Sequence, residues 1–138
     1  MPDTLALELV TPERLLVQEN VEEVQIPAAD GYLGVLPGHA PLLAELGTGY
    51  MSYMAGGRRR YLAVHGGFVE VLPDHVRVLT NAAERAEEID IRRARQELER
   101  AQRQLVNPSL GVEPAAALEQ ISSAQARVEA AEKGAAGS

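Results

Sequence analysis

At 138 residues, with a net charge of −7 and no cysteine, the chain can bury a core of its own but holds no disulfide frame and no thiolate chemistry. Acidity, 4% aromatics, no Trp and a single Phe argue against a nucleic-acid surface, which needs clustered cations and stacking rings. Met1-Pro2-Asp3 has neither the basic start nor the apolar centre of a leader, and no apolar run nears the roughly 18 residues of a membrane span. A soluble, cytoplasmic chain of one domain, or one domain with a small appendage, is expected.

Composition shifts near residue 83. Most Gly, Pro and β-branched residues precede it, and Ala, Glu, Gln and Arg, which favour helix, follow. In the first part, Leu5–Val10 alternates strictly, and residues 21–27 place Val24 and Ile26 on one face before Pro27. Residues 49–54 and 58–65 flank Ala55-Gly56-Gly57, a hairpin signal; residues 66–72 and 75–80 flank Pro73-Asp74, a second one. Short strands with turns at this spacing predict a β-sandwich or flattened barrel. Arg58-Arg59-Arg60 reads as charge guarding a hairpin arm against pairing with another chain.

The second part has a helical period. Ile91, Ala94, Leu98, Ala101 and Leu105 form an apolar stripe, Pro108 and Gly111 break it, and Pro114 suits a first helical position. Leu118, Ile121, Gln125 and Val128 then repeat the stripe more weakly, so an antiparallel helix hairpin is expected. Its seam holds several alanines where leucines would bury more, at about 0.8 kcal/mol per methylene. Such a hairpin should dock marginally and be able to change partners.

Catalytic constellations are missing. Ser52, between Met51 and Tyr53, is in no nucleophile elbow, and Gly47-Thr48-Gly49 lacks the third glycine and helix of a dinucleotide loop. His39, His65 and His75 are never at metal-ligand spacing, and Glu22-Glu23 and Glu87-Glu88 are adjacent pairs whose side chains point apart. His39 stands between Pro37-Gly38 and Ala40-Pro41, flanked by Leu36, Leu42 and Leu43. With no acid or nucleophile beside it, it reads either as closing a turn through a side-chain hydrogen bond or as part of a stiff recognition loop. At the helix start, Asp90 and Arg93 are three apart and face the same way, with Arg100 two turns on. They read either as an N-terminal acid paired with an arginine or as a polyanion site in which Arg93 and Arg100 take phosphate oxygens.

Residues 66–90, "GGFVEVLPDHVRVLTNAAERAEEID", residues 33–43, "LGVLPGHAPLL", and the order of strands then helices resemble the epsilon subunit of the bacterial F-type ATP synthase over essentially the whole chain. The resemblance implies an α+β fold, with a ten-stranded β-sandwich at 1–86 and an antiparallel two-helix hairpin at 87–138. It implies a non-catalytic rotor subunit in the central stalk, on the cytoplasmic face of the bacterial membrane without insertion into it. Its partners would be the gamma subunit, the polar loops of the c-ring and, when the helices extend to inhibit hydrolysis, the alpha/beta catalytic head. A free-standing ATP-sensing module is the alternative.

The ring-facing loop of that family falls on Tyr32, His39 and Ala40, with tyrosine where some members carry an acid. The pattern through which some members bind ATP as a regulatory ligand is matched by Ile89, Asp90, Arg93 and Ala94, with Glu84, Arg100 and Arg127 accompanying. A further arginine of strong binders falls near Ser123, so one phosphate contact is missing and weaker affinity is implied. No cofactor is required. From residue 114 onward only Arg127 and Lys133 are basic, so inhibition through the second helix should be weak or depend on the arginines of the first.

Overall fold

The computed structural model describes residues 3–137; Met1, Pro2 and Ser138, and with them the outer limits of the expected domains at 1 and 138, lie outside the described residues. Eight strands come first: β1 Leu5–Val10, β2 Leu15–Val21, β3 Glu23–Ala28, β4 Gly31–Val35, β5 Leu42–Ala55, β6 Arg58–Leu72, β7 His75–Thr80 and β8 Ala83–Arg85. Among the described residues two α-helices follow, α1 Ile91–Val106 and α2 Pro114–Ala136. The strand order is β2-β1-β7-β6-β5-β3-β4, with β8 on β6. β1 runs antiparallel to β2 and parallel to β7.

The continuous sheet folds over on itself as a sandwich. Leu5, Leu7 and Leu9 of β1, Val24 and Ile26 of β3, Leu62 and Val64 of β6, and Val76 and Val78 of β7 share one fully buried core. The hydroxyl of Tyr53 on β5 donates to Glu19 on β2 at 3.0 Å, joining strands far apart in the sheet order. That bond spans the two layers, and burial raises the Tyr53 pKa.

Eight strands stand where the resemblance implies ten, because β5 and β6 each run unbroken through both layers for 14 and 15 residues. The reading of 58–65 and 66–72 as separate strands is corrected by the same fact. Their ladder skips a pair between Leu46–Gly67 and Thr48–His65, where Gly66 (φ 68°) and Gly67 (φ 124°) bend β6. The buried Thr80 hydroxyl staples the bend, accepting from His65 N at 3.2 Å and donating to Gly66 O at 2.7 Å. β2, β4 and β8 were not anticipated. β3 runs past Pro27, which lies in a register shift where its missing N–H breaks no regular ladder. Of the three arginines expected to charge the hairpin arm, Arg58 and Arg60 are exposed, while Arg59 binds Ser52 and Glu23 on neighbouring strands at 2.9 and 2.8 Å.

Asp90 caps α1, its Oδ1 accepting from Arg93 N at 3.1 Å. The predicted α1 stripe is the one observed, with Ala94 and Ala101 fully covered and Ile91, Leu98 and Leu105 partly so. The pairings Arg95–Glu132 and Glu97–Arg127 descend along α2 as they ascend α1, so the helices are antiparallel. The predicted α2 stripe is corrected. Leu118 and Gln125 are exposed, and the covered residues are Ala117, Ala124, Ala126, Val128, Ala130 and Ala131. Methyl-sized side chains let α2 approach on two sides at once, since it is wedged between α1 and the faces of β5 and β6. Ala63 of β6 points away from the sandwich core and into this second cluster, with Ile89 and Tyr50.

Candidate functional site

Where α1, α2 and β8 meet, Arg127 is held from two directions. Its Nε donates to Glu84 Oε1 at 2.7 Å and its Nη2 to Glu84 Oε2 at 3.3 Å, while Nη1 donates to Glu97 Oε2 at 2.7 Å. The other oxygen of Glu97 accepts from Arg93 Nε at 3.2 Å. Two cations and two carboxylates therefore alternate across three elements. Only 19% of the Arg127 side chain is exposed, against 74% for Arg93, so the Arg127 pairings are the less screened ones.

Two clefts open beside this chain of charges. One, of about 960 Å³, lies between α2 and the sheet and is lined by Thr48, His65, Asn81, Glu84, Ser123 and Arg127 among others. The other, of about 280 Å³, lies between the helices and is lined by Glu97, Arg100, Gln120, Ser123 and Ala124. Gln120 and Ser123 border both. His65 is held below the usual imidazole pKa by burial; Glu84 works against that shift and Arg127 adds to it.

Of the residues singled out for nucleotide, the fold brings Glu84 and Arg127 into contact and joins Arg93 to them through Glu97. Arg100 faces the adjoining interhelical cleft. Asp90 has one oxygen engaged in capping, while the Arg93 side chain pairs with Glu97 and not with Asp90, as had been expected. Ile89 and Ala94 are buried in the helix–sheet cluster, where they position the others. Glu97 is the residue that sequence reasoning missed. Its place four residues after Arg93 was a legible helical pair; its contact with Arg127, thirty residues on, was not.

The ring-facing candidates divide. His39 and Ala40 lie in the exposed loop between β4 and β5; the His39 Nδ1 lies 2.7 Å from Ala40 O, and Gly38 N donates to Pro73 O at 2.7 Å. Tyr32, near the start of β4, is not with them. Its hydroxyl donates to Tyr50 O at 2.9 Å, its ring lies 5.0 Å from that of Tyr50, and it borders a cavity under α2 with Ser122 and Glu129. Burial, first, and Tyr50 raise its pKa well above the usual range. Lys133 of α2 sits 4.8 Å from the centre of the Tyr50 ring.

The outer face of the sandwich leaves Phe68, Leu79, Leu43, Leu36 and Leu15 exposed by 48–73%. Phe68 and Leu79 are directly paired across β6 and β7. Among the described residues no group of three or more His, Asp or Glu could hold a metal, and no helix is long and apolar enough to cross a membrane.

Residues 4–86 match the family model described as the ATP synthase delta/epsilon chain β-sandwich domain. The chain belongs to the ATP synthase delta/epsilon family. A protein of Solibacter usitatus named ATP synthase epsilon chain is 65% identical over 133 residues, 96% of this chain and 99% of that one. A protein of the same name from Koribacter versatilis is 52% identical over 105 residues, 76% of this chain and 74% of that one. Among solved structures, a chain in the Euglena gracilis mitochondrial ATP synthase assembly of OSCP, F1 and c-ring superposes with a TM-score of 0.83 at 27% identity, covering 96% of this chain and 83% of that one. Membership extends past the sandwich, because the Solibacter relative and the Euglena chain both match through the helices.

Proposed function

We propose that the chain is a rotor subunit in the central stalk of an F-type ATP synthase, where it carries no catalysis itself and couples rotation to ATP synthesis. The observation that carries this is the near full-length 65% identity to an ATP synthase epsilon chain. The superposition on a chain of an F1 and c-ring assembly supports the same placement. Its partners are then the gamma subunit, the c-ring and, on helix extension, the alpha/beta head. It works at the cytoplasmic face of the bacterial membrane, as a peripheral subunit of a proton-translocating enzyme.

Residues 1–86 serve as the docking domain and 87–138 as the regulatory hairpin whose movement restrains hydrolysis. The exposed apolar face around Phe68 and Leu79 suits a protein partner better than solvent, which supports docking on gamma. His39 and Ala40 form the ring-facing loop; Tyr32, with its hydroxyl donated to Tyr50, contributes its exposed ring alone. ATP acts as a regulatory ligand at Glu84, Ile89, Asp90, Arg93, Ala94, Arg100 and Arg127. The cleft beside Arg127 supports this reading, and the carboxylates already on Arg127 make for weak affinity.

Co-purification with gamma tests the rotor role: a stable complex is expected, and a chain indifferent to gamma would overturn it. Calorimetry at millimolar ATP tests the ligand, where absence of heat counts against it. A cysteine at His39 should cross-link to a cysteine in a c-ring loop of the assembled enzyme; failure beside a working control elsewhere removes the ring contact.

A further inference from the structure

Arg127 is the side chain through which the three moving parts are tied together. Glu84 belongs to the sandwich strand β8, Glu97 to α1 and Arg127 itself to α2, and all three bonds are direct side-chain contacts. The fork of the guanidinium is used in full, Nε and Nη2 on one carboxylate and Nη1 on the other, a geometry that a lysine cannot reproduce. A second interhelical ion pair, Arg95 with Glu132 at 2.8 Å, joins α1 to α2 alone, with both side chains about half exposed. It travels with the hairpin and does nothing to hold it on the sandwich.

The apolar contact beneath the hairpin is mostly alanine, so it supplies little burial per residue. The compact arrangement therefore leans on charge to a degree that a leucine-lined seam would not.

Resting on the reading of residues 87–138 as a hairpin that moves, we propose that Glu84, Arg127 and Glu97 form a latch of direct ion pairs that holds both helices on the sandwich. Release of the hairpin begins when Arg127 leaves Glu84, because that bond alone crosses from the latch to the sandwich. Any partner that draws the hairpin out must offer carboxylates to Arg127 or leave Glu84 solvated in its place.

The chain has no cysteine, so spin labels at Asp30→Cys and Ala115→Cys, both on exposed sites, report the position of the hairpin in the full-length protein. In nucleotide-free buffer the parent should give one short distance, with an open form below about 10%. Arg127→Met, which keeps the bulk of the side chain and removes its charge, should raise the open-to-closed ratio about tenfold or more. Arg127→Lys should fall between, and Arg95→Met should leave the distribution unchanged. Glu84→Gln, which removes the charge on the sandwich side of the same bond, gives the same opening should Arg127→Met fail to fold. A closed distribution in both Arg127→Met and Glu84→Gln overturns the latch. So does a parent protein that is open without ATP and closes only on its addition.

Discussion

Gly134 of α2 lies so close to the short turn at Ala86–Glu88 that a Cβ built on it would sit 2.6 Å from the Ala86 Cβ. Two effects oppose each other at this position. Alanine is the better helix former by about 1 kcal/mol, yet its methyl cannot enter the contact without shifting the helix. The overlap should win. Gly134→Ala is expected to loosen the end of α2, read as faster amide exchange around Ala131 and Ile89; slower exchange would show that propensity dominates.

Gly67 is the harder substitution. Its φ is 124°, and a Cβ there would meet Leu79 O at 1.9 Å, backbone that cannot swing aside. Gly67→Ala should lower stability to denaturant by roughly 3 kcal/mol or more, through strain and clash together. A loss near zero would mean that β6 can bend elsewhere.

His65 predicts an acid-side loss of stability. Its pKa is lowered in the fold, so the unfolded chain binds the proton more readily. The native advantage is whole above the unfolded value of about 6.5 and declines as pH falls below it. Thermal unfolding from pH 7.5 to 5 should show this slope, and His65→Gln, which cannot titrate, should flatten it. Equal slopes in both proteins would assign the effect to other groups.

At Asp90, capping and ligand binding can be separated. Asp90→Ala removes the acceptor for Arg93 N and should fray the start of α1, at a cost of about 1 kcal/mol. Asp90→Asn keeps an acceptor while losing the charge. If the carboxylate takes part in ATP binding, Asn should keep the helicity seen by circular dichroism and lose ATP heat in calorimetry. Retention of both would confine Asp90 to the cap.

Much of the fold was legible because its signals are local. The alternation of Leu5, Leu7 and Leu9, and the spacing of Ile91, Ala94, Leu98 and Ala101, each reflect one element meeting one apolar face. α2 misled for the opposite reason: it is covered on two sides, so its buried residues, all alanines but Val128, are spread round the helix, while Leu118 is exposed. The unbroken β5 and β6 were hidden by Gly66-Gly67, which marks a bend within one strand as readily as a gap between two. At the site, Asp90 and Arg93 were readable from their spacing. The junction of Glu84, Glu97 and Arg127 depends on how the hairpin lies across the sheet, which no spacing encodes.

The alanine lining has a thermal consequence. Unfolding and undocking change heat capacity in proportion to the apolar surface they bare, and methyls such as those of Ala63, Ala126 and Ala130 bare little of it. Lifting the hairpin should therefore carry a small heat-capacity increment, with a free energy nearly linear in temperature. The balance between docked and extended helices would then drift only gently over the growth range, while the sandwich beneath, with its Leu, Val and Ile core, keeps the curved stability profile of an ordinary globular fold.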